Sequence, residues 1–470
     1  MLVQSMHFKQ RASEKLGDAL LQGNMRKAKG KFVDGRAKAV AEFGVWEELR
    51  THAAKIRDRA IANLDAYLVE FERNATRRGA VVHWAESAED ACRIIVEIAL
   101  QNGVKKVAKS KSMVSEEVNL NERMEAAGLQ VIETDLGEYI LQLAHEPPSH
   151  IVAPAVHKSK EQVADLFVAA HGKPRLTEIP AMTREAREAL RGHFLTADMG
   201  ISGSNFIIAE TGTTLTVTNE GNADMVTTLP RIHCVITGIE KVIGTMEDFA
   251  ALIRLLPRSA IGQTITNYLT VTTGIKMPDE ADGPEQMHIV LVDAGRTRLV
   301  GSDMQEMLRC IRCGACMNHC PVYQNVGGHA YGWVYPGPMG SILTPAYVGL
   351  ENAGDLPNAA TFCGECAVAC PVKIPLPDLM RKLREQQFDR KLRPWTERAA
   401  IAAWGFVATR PGLYALMSKL GARVAGWMGG REGLIHSLPG IDGWTKGRDM
   451  PAPAGRTFRE LYKRRASHRA

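Results

Sequence analysis

The stretch CIRCGACMNHCP, Cys310 to Pro321, and its shorter echo CGECAVACP, Cys363 to Pro371, decide how the rest of the chain is read. The first sets four thiols at the spacing CxxCxxCxxxCP. Three sulfurs at intervals of three wrap one iron–sulfide cube, while the fourth, after a longer gap and ahead of a proline, points toward a second. Aligned on their CP ends, the runs pair Cys320 with Cys370, Cys316 with Cys366 and Cys313 with Cys363, leaving Ala360 opposite Cys310. The crossing rule then assigns Cys310, Cys313, Cys316 and Cys370 to cluster 1, and Cys320, Cys363 and Cys366 to cluster 2. Two [4Fe-4S] clusters are expected. The second has only three protein cysteines, so its alternatives are a non-cysteine or exogenous fourth ligand, a [3Fe-4S] core, or completion by a partner. Zinc is the competing reading, but zinc sites favour separated CxxC pairs over an evenly spaced triple with a trailing CP.

The seven clustered cysteines, in a chain whose N-terminus shows no apolar signal region, argue for metal in place of disulfides and for a cytoplasmic location. Cys92 and Cys234 sit alone in apolar surroundings and read as buried core thiols. The 470 residues are 45% hydrophobic, enough for two or three cored domains. The net charge of +6 is spread too evenly, with too few aromatics, to indicate nucleic acid. The apolar stretch 399–409 is too short to span a bilayer and reads as a buried or interfacial helix. The basic tail (Arg456, Arg459, Lys463, Arg464, Arg465, Arg469) reads as a solvated helix end, and the tail tryptophans (Trp395, Trp404, Trp427, Trp444) as packing residues. Docking to a partner or peripheral contact with a membrane surface is the rival reading for both.

Texture divides the chain at residues 1–69, 70–300, 301–385 and 386–470. The first segment is helical, with apolar residues at three and four spacing among dense charges. From Ala80 onward, β-branched runs alternate with helical ones. VVHWA, VKKVAKS, LQVIETD, HIVAPAV, SNFIIAET, TLTVTNE, RIHCVITGIE and HIVLVDA are the expected strands of one α/β domain. The Gly- and Pro-rich stretch 327–357 reads as an irregular loop joining the cysteine runs, and the sequence after Lys373 becomes a helical tail.

Polar segments at strand or loop ends between residues 105 and 245 suggest an anion-binding crevice, against the plainer reading of ordinary turn chemistry. The residues suited to it are Lys109, Lys111, Ser112, Asn205, Glu210, Thr211, Gly212, Asn219 and Asn222. The run from Lys109 to Lys158, through NFIIAETGTTLTVTNEGNADM, to HCVITGIEKV resembles the LUD domain of the lactate utilisation proteins. The cysteine block and tail resemble the remainder of lactate utilisation protein B. GNADM departs slightly from a more glycine-rich form of that turn. The resemblance implies an α/β LUD domain related to isomerase and CoA-transferase-like proteins, preceded by helices and followed by an α-helical, ferredoxin-like two-cluster domain and a helical tail. It further implies a partner set that oxidises L-lactate to pyruvate, with this chain as a non-catalytic electron carrier.

No GxGxxG follows a strand and opens a helix, so a flavin or other hydride-accepting cofactor is expected on a partner, alongside other lactate-utilisation subunits or a cluster-bearing partner. Two further readings compete with the carrier. One is a LUD-domain enzyme acting on a small organic acid or phosphate ester, with Glu210 as base or nucleophile and Lys109 or Lys111 as anion binder. The other is a scaffold stapled by metal. Arg309, Arg312 and Lys373 either raise the cluster potentials or are plain surface charges, and His319 is expected to face away from the clusters.

Overall fold

Long apolar runs make the central strands of a computed structural model, which describes residues 3–438 and 448–467. The strands are β1 (Ala80–Ala85), β2 (Lys106–Lys109), β3 (Gln130–Glu133), β4 (Met199–Gly203), β5 (Phe206–Ile208), β6 (Thr213–Thr218), β7 (Ile232–Gly238), β8 (Val242–Ile243), β9 (Tyr268–Thr272) and β10 (Gln286–Val292). Six form one sheet in the order β1-β10-β7-β4-β2-β3, parallel at every pairing. All seven residues of β7 are buried, as a strand covered on both faces requires. Each buried Val or Ile there contributes about 1.5–3 kcal/mol of transfer free energy. A second sheet, β8-β5-β6-β9, is mixed.

The connections position the site. From β2 the chain passes outward to β3 at the sheet edge, whereas from β4 it passes inward to β7. Adjacent strands β2 and β4 therefore lead away in opposite directions, and their carboxyl ends open a crevice of the kind in which α/β sheets bind ligands. Side-chain caps fix the helices that follow. Ser112 accepts from Ser115 N at the start of Met113–Glu117, and Asp135 accepts from the amides of Gly137 and Glu138 at the start of Leu136–Ala144.

Two expectations about secondary structure are corrected. HIVAPAV forms no strand. Pro154 has no amide to give a ladder, and the His150 ring captures the amides of Val152 and Ala153 at 3.0 Å each, folding the segment into turns. Conversely, the stretch between the cysteine runs contains a buried helix, Gly337–Val348, with Pro338 in its first turn, where no intrahelical amide is needed. Strands β4, β8 and β9 were not among the expected ones.

The chain folds as two compact units, Met1–Gln386 and Gln387–Ala470. In the first, the N-terminal helices, the sheet domain and the cysteine block are joined by shared contacts. Arg57, on the helix Trp46–Ala62, is fully buried and donates to the carbonyls of Val242, Glu240 and Leu308. One apolar core runs from Phe8 through Ile56, Phe206 and Leu252 to Met317, Leu343 and Leu379. The second unit contains helices Trp395–Ala408, Pro411–Met428 and Phe458–Ser467. Trp395, Trp404 and Trp427 are exposed, so they do not serve as packing residues; Trp444 and Arg469 lie outside the described residues. No helix among the described residues is long and apolar enough to cross a membrane.

Candidate iron–sulfur centre and adjoining cavity

The two cysteine runs share a backbone conformation that their sequences only hint at. Arg312 and Phe362 adopt φ of 58° and 57°, and Gly314 and Gly364 adopt 77° and 86°, so each run turns left-handed on both sides of one cysteine, Cys313 or Cys363. Non-glycine residues pay for that conformation, which marks a backbone shaped for a ligand. Each turn opens a short helix, Ala315–Asn318 or Glu365–Ala369, carrying the next cysteine.

The folded runs bring Cys310, Cys313 and Cys316 together with Cys370 of the other run around one small cavity walled by Met307, Met339 and Ile374. Cys366 lies within electrostatic reach of Cys320 and Cys363. Among the described residues no three His, Cys, Asp or Glu side chains close on a single point as the ligands of one ion would. Burial first, and neighbouring thiols second, push Cys313 and Cys316 far up, Cys366 to about 12 and Cys370 to about 11. For Cys370, backbone amides intervene between the two causes and partly offset them, Ile374 N donating to its sulfur at 3.4 Å. Several buried thiolates can coexist only around positive charge, so the donor set fits a polynuclear iron core, and amides aimed at sulfur stabilise its reduced form. Cys92 and Cys234 are buried in apolar surroundings away from this block.

The charges near the runs differ in kind. Arg309 is paired with Asp58 at 2.5 Å, and Lys373 with Glu47 at 3.3 Å, so both are largely compensated. Arg312 is 9% exposed; its Nη2 lies 3.2 Å from Glu240 Oε1 and its guanidinium covers the Tyr335 ring. Glu240 also accepts from Arg296 Nε at 2.6 Å, and Arg296 grips Glu117 with two bonds of 2.9 and 2.8 Å. Arg296 and Arg312 hold the Glu240 carboxyl down to about 2 against its burial. His319 is half-buried, and its Nδ1 is 2.9 Å from the Ala315 carbonyl.

At the carboxyl ends of β2 and β4 lies a cavity of about 570 Å³. Lys111, Ser112, Asn205, Asn219 and Asn222 all line it, and so does Cys313. Four other expected site residues do not. Lys109 is fully buried, paired with Glu133 at 2.6 Å and Glu116 at 2.9 Å, and so is a structural ion pair beneath the crevice. Glu210 accepts from Met246 N at 2.6 Å, while Thr211 and Gly212 form the β5–β6 turn. Gly212 is held at φ 70°, where a Cβ would lie 2.2 Å from Ala75 N, so its glycine serves a close backbone approach. Residue types alone did not reveal Asp135, Glu220, Lys241, Gln263 and Tyr335, which also line it. The pair Glu240-Lys241, just beyond the buried strand β7, was the readable sign, because charge at a buried strand's carboxyl end needs a reason.

Three family models match successive segments of the chain. Residues 68–292 match the LUD domain, 306–374 the 4Fe-4S dicluster domain, and 379–467 the C-terminal region of lactate utilisation protein B. The chain is 43% identical over 467 residues to lactate utilization protein B of Lysinibacillus sphaericus, covering 99% of this chain and 98% of that protein. It is 44% identical over 473 residues to the protein of that name from Bacillus velezensis, with the same coverage. A solved structure of a DUF162 family protein from Deinococcus radiodurans aligns over 49% of this chain and 98% of its own, at 15% identity and a TM-score of 0.27. With near-complete coverage at this identity, and with the LUD and dicluster segments in order, the chain belongs to the lactate utilisation protein B family.

Proposed function

We propose that this chain is the electron-transfer subunit of an assembly that oxidises L-lactate to pyruvate, carrying electrons through two [4Fe-4S] clusters, the second with three protein cysteines. The observation that supports this reading is that Cys370 of the second run lines the same small cavity as Cys310, Cys313 and Cys316 of the first. Two cubes tied together in this way would sit close enough to relay electrons. Lactate as the substrate rests on the relatives' name. The cytoplasmic location rests on the clustered cysteines, and the other lactate-utilisation subunits, a flavin- or cluster-bearing partner and kinship with isomerase and CoA-transferase-like folds rest on the family resemblance.

The protein's own contribution is placement and tuning. The two runs hold the sulfurs, the Arg50 guanidinium fixes the Cys370 carbonyl with bonds of 3.0 and 2.6 Å, and Arg312 and the amides around Cys370 favour the reduced state. Iron and sulfide analysis of anaerobically purified protein should give about eight irons per chain, four per cube. A visible band bleached by dithionite should accompany it. About four irons would leave a single centre and remove the relay, and a colourless protein would replace it with a scaffold.

A further inference from the structure

The 570 Å³ cavity shares a wall with cluster 1, because Cys313 faces both. Its polar lining is unfinished. Lys111 Nζ, Arg312 Nη1, Gln263 Oε1 and both amide atoms of Asn222 are buried with no hydrogen-bond partner among the described residues, although Asn222 is only 4% exposed. A buried donor or acceptor left unmade costs about 1–3 kcal/mol, and more if charged, so a group that satisfies several of them at once is strongly favoured. Three of the orphan atoms are donors, Lys111 Nζ, Arg312 Nη1 and Asn222 Nδ2, and two are acceptors, Gln263 Oε1 and Asn222 Oδ1, a set suited to an anion that also carries hydrogen-bonding edges. The rest of the wall is apolar, with Ile140, Val217 and Leu256 prominent. The volume falls mid-range for small-molecule cofactor sites, roughly 300–1,000 Å³, and a three-carbon acid would leave most of it empty.

We propose that this cavity binds a phosphorylated, redox-active heteroaromatic of flavin mononucleotide size, which exchanges electrons with cluster 1 across Cys313. The inference rests on the carrier reading and supplies what that reading needs. Oxidation of a hydroxy acid releases electrons in pairs, and clusters accept them singly. The dihydro form of such a ligand gives up two electrons and two protons as it becomes the oxidised form, one electron passing to each cluster. Asp135 and Glu220 face the same cavity, and burial with the neighbouring Asp135 charge lifts Glu220 to about 7. One proton therefore has a carboxylate to accept it near neutral pH, and the other leaves to water. The absence of a dinucleotide fingerprint is no obstacle, since the site lies at the β2–β4 switch point and uses side chains.

Flavin mononucleotide titrated into anaerobic holoprotein should lose its fluorescence at one equivalent per chain. Lys111→Met and Asn222→Leu, near-isosteric changes outside the cluster ligands, should each weaken binding by about tenfold or more, the loss of a charged or bidentate contact. The cluster EPR signals should stay intact in both. Reduced flavin mononucleotide should bleach the cluster absorbance of the unaltered protein quickly and that of the variants slowly. No binding, or binding indifferent to both substitutions, overturns the proposal. Saturation by pyruvate or inorganic phosphate alone, with flavin mononucleotide excluded, overturns the ligand class. Iron content and EPR are read in every arm, so failure of the carrier reading, seen as missing clusters, is told apart from failure of the cavity assignment.

Discussion

At the scale of single residues, the chain repeatedly places charge where water cannot reach it, and each case has a named compensation or a named cost. Lys109 and Arg296 are compensated. Glu138 is not: burial lifts its carboxyl to about 8, its nearest cation Lys111 stands 3.9 Å away, and Oε1 has no hydrogen-bond partner. A carboxyl with a raised folded-state pKa keeps its proton where the unfolded chain releases it. Its contribution is therefore neutral below the ordinary value of 4.5 and increasingly destabilising as pH rises toward 8. Glu138→Gln mimics the protonated form. Its melting temperature should exceed that of the unaltered protein at pH 9 and match it near pH 5, as read by circular dichroism at the two pH values. An equal gap at both would mean that the carboxyl is ionised throughout.

At the scale of elements, the helix Trp46–Ala62 acts as a clamp on the second cysteine run. Arg50 reaches from it to the carbonyls of Cys370 and Ala367, while Arg36 adds a bond of 3.1 Å to Ala369 O. Bonds to a charged donor are each worth about 1.5–3 kcal/mol. Arg50→Ala should therefore speed iron loss to a chelator several-fold while leaving the far-ultraviolet circular dichroism unchanged, and an unaltered rate would make the clamp idle. None of this clamp was readable in the sequence, where Arg50 is one cation among many on an amphipathic helix. The cysteine spacing was readable because a cluster constrains ligands that are close in sequence. The strands β7 and β10 were readable because burial on both faces leaves a mostly apolar run. Strand β4 hid behind its glycines. Gly200 takes part in the ladder, yet a Cβ there would lie 1.9 Å from Val226 O, so tight helix packing removed the side chain that would have announced a strand. The Gly-Thr turn at Thr211 and Gly212 misled in the opposite sense, since hairpin chemistry and anion binding use the same residue types. Five of nine expected cavity residues came together because the ends of β2, β4 and β6 meet at one edge, which pairing decides and residue type does not.

At the scale of the whole molecule, the cysteine block is not a separable ferredoxin. Its core is continuous with that of the N-terminal helices and the sheet domain, and Arg57 alone ties three segments by their backbone carbonyls. A fragment of residues 301–386 should accordingly fail to retain clusters after anaerobic reconstitution, whereas the chain cut after residue 386 should keep them. Iron-to-protein ratios would read both, and a fragment holding a full complement would contradict the shared core.

The crossing of the two runs is tested most directly by EPR on four single variants of the full chain, each reduced anaerobically. Cys310→Ser and Cys370→Ser should lose one and the same signal, and Cys320→Ser and Cys363→Ser should lose the other. If Cys370→Ser instead abolished the signal that Cys363→Ser removes, each run would ligate its own cluster and the crossed assignment would be wrong.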